Sequence, residues 1–290
     1  RDEQHSTRGR ANTLRLALSG QLGLDAITSH AMAESLKLCV GCKACSRECP
    51  TGVDMAKMKI EVMHQQIARN GLSRRDRLIG FFPRYAPWLA KVPYLANLSN
   101  TLIGAKVSEW LFGLSAKQPL PKWSKRPFDT KLRSFGHDDG PEVVLLGDCF
   151  NRYFEPDNLQ AAMDVLVAAG CRVKMLEPYG DQTRPLCCGR TFLSVGLVEE
   201  AKKEAARLVK ASSEHVKRGI PIIGLEPSCI LTLRDELPEL MGDATQLSEN
   251  ASLIEEYLVK RNRDGDLALP LRNSGGLEIL AHGHCHQKSA

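Results

Sequence analysis

From residue 141 onward the chain alternates short continuous apolar runs with longer stretches of helical period. Residues 142–148 (EVVLLGD), 172–178 (RVKMLEP), 221–227 (PIIGLEP) and 277–283 (LEILAHG) read as four buried strands. Between them, 156–170, 197–219, 230–241 and 250–262 carry the spacing of amphipathic helices. Strands that are apolar throughout and separated by helices predict a parallel sheet covered on both faces. The first half has a different pattern. Asp54 is placed to cap a helix over 55–70, with Met55, Met58, Val62 and Ile67 at helical spacing and Gly71 closing it. The methionines read as core beneath the preceding residues, and His64 on that helix as exposed or partner-facing. Residues 78–114 are the most apolar stretch. Three prolines, three basic residues and Glu109 interrupt it, so it cannot supply a membrane span. It predicts helices that dock on a partner domain, with peripheral membrane contact as the weaker alternative. Polar, proline-bearing residues 119–140 read as a linker. The expectation is therefore α/β: an all-α domain over 1–118, the linker, and an α/β domain over 141–290.

Composition changes this picture little. The 290 residues are 43% hydrophobic and 25% charged with a net charge of +5, ordinary for a globular protein. Basic residues are scattered without interleaved aromatics, which argues against a nucleic-acid surface. The first residues lack the apolar core of a signal peptide and lack an initiator methionine. A cytoplasmic protein is expected, or one peripheral on the inner face of the membrane, with both ends of the chain looking cut from something longer.

The ten cysteines change it more. Cys39, Cys42, Cys45 and Cys49 follow C-x2-C-x2-C-x3-C, closed by Pro50. That is the bacterial ferredoxin run, which predicts a [4Fe–4S] cluster. Short gaps let one tight loop wrap a cubane, Gly41 eases the turn, and Pro50 stops the local helix. Structural zinc more often takes two separated pairs. In two-cluster ferredoxins the fourth cysteine serves the other cluster, so Cys49 is the ligand expected to switch if a second set exists.

Five further cysteines each follow a predicted strand: Cys149, then Cys187 and Cys188 in a CCG sequence, then Cys229 and Cys285. The carboxyl edge of a parallel sheet is where ligands bind, so all five are expected to gather there as ligands of a second redox centre. His284 and His286 flank Cys285 as candidates to hydrogen-bond the ligands of that centre. Adjacent Cys187 and Cys188 suit a larger cluster or a vicinal disulfide better than one small ion. Cys171, at the opposite edge, reads as a buried hydrophobe. The strand-then-cysteine pattern at 277–286 looks like the opening of a second copy of the unit begun at Cys149.

TRGRA (7–11), LCVGCKACSRECPTGVDMAKMK (38–59) and the CCG at 187–189 together resemble the iron–sulfur portion of FAD-linked D-2-hydroxy-acid dehydrogenases, the group with glycolate oxidase and the D-lactate and D-2-hydroxyglutarate enzymes. The resemblance implies a ferredoxin-like helical domain followed by a cysteine-rich domain. It also implies FAD in a part not present, a flavin domain or subunit as partner, and a quinone or other carrier as acceptor. No residue of this chain is expected to be catalytic or to bind flavin, since no G-x-G-x-x-G loop follows a strand. A heterodisulfide or disulfide reductase and a zinc-binding assembly domain are the alternatives. EPSC at 226–229 departs from the C-x2-C of heterodisulfide reductases.

Overall fold

The computed structural model describes residues 2–289 apart from 24, 129–133, 137, 243, 268 and 270–274, so part of the expected linker lies outside the described residues. The chain is mixed α/β and mostly helical. Its described strands are β1 (Glu142–Leu145), β2 (Arg172–Met175), β3 (Ile222–Gly224) and β4 (Ala251–Leu253). They form one parallel sheet of order β2-β1-β3-β4.

Alternation along β1 explains why this strand is central. Val143 and Leu145 face one side, with Val173, Ile223 and the helix Pro156–Ala168. Val144 and Leu146 face the other, with Leu208 of Val198–Lys217 and with Ile230 and Leu233 of Pro227–Arg234. A strand buried on both faces is expected to be apolar along its length, and β1 is so at Val143, Val144 and Leu145.

Three of the four expected strands form. The fourth does not: 277–283 contains no strand, and Leu280 is 99% exposed. The place beside β3 is taken by β4, from residues expected to begin a helix. Ala251 and Leu253 are buried on either side of half-exposed Ser252, a period of two too short to stand out in the sequence. The helix proper starts at Ile254, where Glu256 accepts the Leu253 N–H at 3.0 Å.

By contact the chain divides into two compact units: residues 1–80, 191–200 and 282–290, and residues 81–190 and 201–281. Residues 81–118, expected to complete the N-terminal domain, thus share a unit with the sheet. In the first unit the helices Thr7–Leu18, His30–Lys37 and Met55–Asn70 surround Leu14, Met32, Leu36, Met55 and Val62. Met55 is core, but Met58 is exposed. His64 is half-buried rather than exposed, its Nδ1 lying 3.1 Å from the Gly196 carbonyl.

Candidate functional site

The loop at 39–49 is built locally. Gly41 (φ +67°) and Lys43 (φ +62°) both adopt the left-handed conformation, and Lys43 is the non-glycine residue that does so among the described residues. Two such turns within three residues turn the chain tightly between Cys39 and Cys45. The short helix Ala44–Glu48 follows, and Pro50 lies just beyond its end. All four cysteines are partly exposed. Cys39 and Cys45 lean on the Met55 core. The Met55 N–H donates to Cys45 Sγ at 3.4 Å. Cys49 Sγ lies 3.1 Å from the Thr51 hydroxyl. That contact, with the N–H groups of Val53, Thr51 and Gly52, holds its pKa below the usual thiol value. Lys59 Nζ donates to the Cys39 carbonyl at 2.5 Å. N–H donors aimed at sulfur favour its anionic, metal-binding form, so this donor set fits an iron–sulfur cluster.

The second group is assembled from distant segments. Cys149 opens the helix Cys149–Tyr153 after β1, where Asp148 caps the turn by accepting the Phe150 and Asn151 N–H groups. Cys229 lies in the first turn of Pro227–Arg234 after β3. In the order β2-β1-β3-β4 the chain reverses direction between β1 and β3, the switch point where open parallel sheets bind ligands. Cys187 and Cys188 come from the connection after β2. There Gly189 (φ +85°) passes so close to the helix Val198–Lys217 that an added Cβ would stand 3.2 Å from the Ala201 carbonyl oxygen. Its N–H donates to Cys187 Sγ at 3.3 Å.

These four thiols touch in series. Cys187 is in hydrogen-bond contact with Cys149 and Cys188, and Cys188 with Cys229. All four are buried. The contact with Cys149, then burial, pushes Cys187 well above the ordinary thiol pKa. Contact with the preceding thiol and burial do the same for Cys188 and Cys229. Among the described residues no three His, Cys, Asp or Glu side chains converge so as to hold a single metal ion. A row of sulfurs suits a multinuclear centre, with ligands spread over several metal atoms, better than one tetrahedral ion.

Cys285 is not part of this row. It opens a short helix, Cys285–Ser289, in the other compact unit, and remains exposed. That helix packs on the first cysteine loop. His286 Nε2 lies 3.1 Å from the Gly41 carbonyl, Ser289 Oγ donates to the Cys42 carbonyl at 2.8 Å, and Arg47 reaches the Lys288 carbonyl. The His284 ring sits 5.3 Å from that of His286. Both histidines are expected from the sequence beside the second group, but the structure places them with the first. The cause is the missing fourth strand, without which nothing carries 284–286 to the sheet edge. Cys171 is buried, 3.5 Å from the Tyr257 hydroxyl.

Charged neighbours of the thiol row were not apparent in the sequence. Asp148 is buried, and burial, with Glu226 nearby, raises its pKa. Glu204, 1% exposed, binds Arg84, Arg184 and Arg207 together. Arg152 is buried, donating to the Gly147 carbonyl at 3.3 Å. The only hint was its position, three residues after Cys149 on one helical turn.

No family model and no solved structure matches the chain. Over its whole length it is 27% identical to a D-2-hydroxyglutarate dehydrogenase of Pseudomonas putida, spanning 32% of that protein. It is also 27% identical to one subunit of the anaerobic glycerol-3-phosphate dehydrogenase of Escherichia coli, over 81% of this chain and 57% of the relative. It is 23% identical to the D-2-hydroxyglutarate dehydrogenase of Escherichia coli, over 90% of this chain and 26% of the relative. The chain is thus similar throughout to a part, about a third by length, of a dehydrogenase.

Proposed function

We propose that this chain is the electron-transfer part of an FAD-linked D-2-hydroxy-acid dehydrogenase. In this reading Cys39, Cys42, Cys45 and Cys49 hold a [4Fe–4S] cluster, and electrons arrive from a flavin domain or subunit and leave to a quinone or other carrier. The reading rests on one observation above all: whole-chain similarity to a dehydrogenase coincides with a C-x2-C-x2-C-x3-C-P loop in which the sulfurs of Cys45 and Cys49 face N–H donors. When bound, such a cluster supplies one-electron uptake and release. The protein's share is to present thiolates, donate N–H groups to them, and screen one side of the loop with the Met55 core. The buried row Cys149, Cys187, Cys188 and Cys229 is read as the seat of a second redox centre. Trp88, Tyr94, Leu102, Ile103 and Trp110 are exposed and offer a surface to the flavin partner, or to the inner face of a membrane as the second choice. No described helix is long and apolar enough to cross a membrane.

The test is metal and sulfide analysis of the full chain purified without oxygen, with visible and EPR spectra. Iron with acid-labile sulfide is expected, and Cys42→Ser should abolish the loop's signal while Cys188→Ser spares it. Zinc without sulfide would overturn the proposal. So would thiol–disulfide reductase turnover by metal-free protein, which would favour catalysis at the buried row.

A further inference from the structure

Arg152 presents a buried charge that no described carboxylate pairs. It is 6% exposed, its Nε has no hydrogen-bond partner among the described residues, and its Nη2 donates to the Gly147 carbonyl at a long 3.3 Å. No described carboxylate forms an ion pair with it. A buried guanidinium left in this state is strongly destabilising, so positions like this persist where an anion accompanies the charge. Gly147 lies two residues past β1, and an added Cβ there would stand 2.6 Å from the Arg152 guanidinium. Arg152 follows Cys149 on the same short helix, and the hydroxyl of Tyr153 is influenced by Arg152, Cys149 and Arg184 together. Arg184 adds a second incompletely used cation: its Nη2 binds Glu204 at 2.8 Å, yet its Nη1 is buried without a partner.

The opposite end of the thiol row is different. Cys229 faces Asp148 and Glu226. Asp148 spends its oxygens on the Phe150 and Asn151 N–H groups and the Asn151 amide, at 2.7–3.0 Å, and reaches no arginine. Arg152 and Arg184 both act on Tyr153 beside Cys149, while Asp148, which precedes Cys149, and Glu226 both act on Cys229. Four protonated thiols are neutral and would leave Arg152 uncompensated. Four thiolates around iron and sulfide carry net negative charge and would compensate it.

We propose that Arg152 is the buried counter-charge of an anionic iron–sulfur centre held by Cys149, Cys187, Cys188 and Cys229, and that it sets that centre's reduction potential. This rests on the reading of the row as a second redox centre. Arg152 touches no reacting group; it acts as a positioning residue through its charge. A nearby cation favours the more negative, reduced form, so its removal lowers the potential.

The experiment is a redox titration of the full, anaerobically reconstituted chain, with Arg152→Met and Arg152→Lys beside the parent and a Cys149→Ser/Cys188→Ser variant to identify the signal. Arg152→Met is expected to disfavour reduction of the row's signal at least tenfold, about 59 mV downward for one electron. The signal of the Cys39–Cys49 loop should not move. Arg152→Lys, which keeps the charge, is expected to recover most of the shift even if both variants are less stable. A row signal at parental potential in Arg152→Met overturns the inference and leaves the second centre standing. Equal shifts in Met and Lys variants also overturn it, by assigning Arg152 a merely structural role. If the double cysteine variant retains all the parent's iron and signals, the second centre itself is wrong, and the inference falls with it.

Discussion

The two cysteine groups place four thiols each, in opposite ways. The loop at 39–49 does it within eleven residues, with two left-handed turns and little burial. The row at 149, 187, 188 and 229 does it across three strand ends, with complete enclosure. The consequences for the sulfurs are opposite too. Hydrogen bonds pull Cys49 toward thiolate, whereas thiol neighbours and burial hold Cys187, Cys188 and Cys229 as thiols until something compensates the charge. A local loop orients its thiols with little help from the rest of the chain. An enclosed row depends on the whole fold around it.

Alkylation of metal-free protein should expose this difference most strongly. At mildly alkaline pH, peptide mapping is expected to find Cys49 modified on the order of a hundred times faster than Cys187 or Cys188, since thiolate fraction and access both favour it. Its rate should also climb at lower pH than that of an ordinary thiol, because a lowered pKa populates the thiolate sooner. Equal rates at the two groups would dissolve the contrast.

Leu145→Ala should separate the groups next. Leu145 is fully buried at the end of β1, four residues before Cys149. Truncation there should cost about 2–5 kcal/mol in chemical denaturation. Alkylation at Cys187 and Cys188 should accelerate while that at Cys49 stays unchanged. Acceleration at Cys49 as well would mean that the loop is not locally determined.

The smallest expected effect concerns the loop's own backbone. Lys43 holds a left-handed conformation that costs a non-glycine residue roughly 1 kcal/mol. Lys43→Gly should relieve it, and the offsetting entropy of the unfolded chain limits the net gain to a few tenths of a kcal/mol in the melting of the first unit. A large loss would instead show that the buried lysine side chain stabilises the loop.

Legibility differed between the groups for the same reason. Cys39–Cys49 could be read from spacing alone because every constraint lies within one turn-helix segment: Gly41 turns where the motif requires it and Pro50 follows the helix end. Three strands could be read because β1, β2 and β3 are continuous apolar runs between helical stretches, and the meeting of Cys149, Cys187, Cys188 and Cys229 followed from their positions past those strands. The error at Cys285 came from the same rule. Residues 277–283 are as apolar as a strand, but hydrophobicity does not say which segment wins the place beside β3, and Ala251–Leu253 took it.

What the sequence determined by itself is therefore the local chemistry: cysteine spacing, the caps and turns around it, and the apolar strands that must be buried. Only the tertiary structure decided the long-range choices. It set which run completes the sheet, that His286 bonds Gly41 instead of the CCG row, and that Arg152 lies buried with no described carboxylate paired to it. These depend on competition among segments for a limited interior and on charge compensation among residues distant in the chain, neither of which leaves a periodic trace in the sequence.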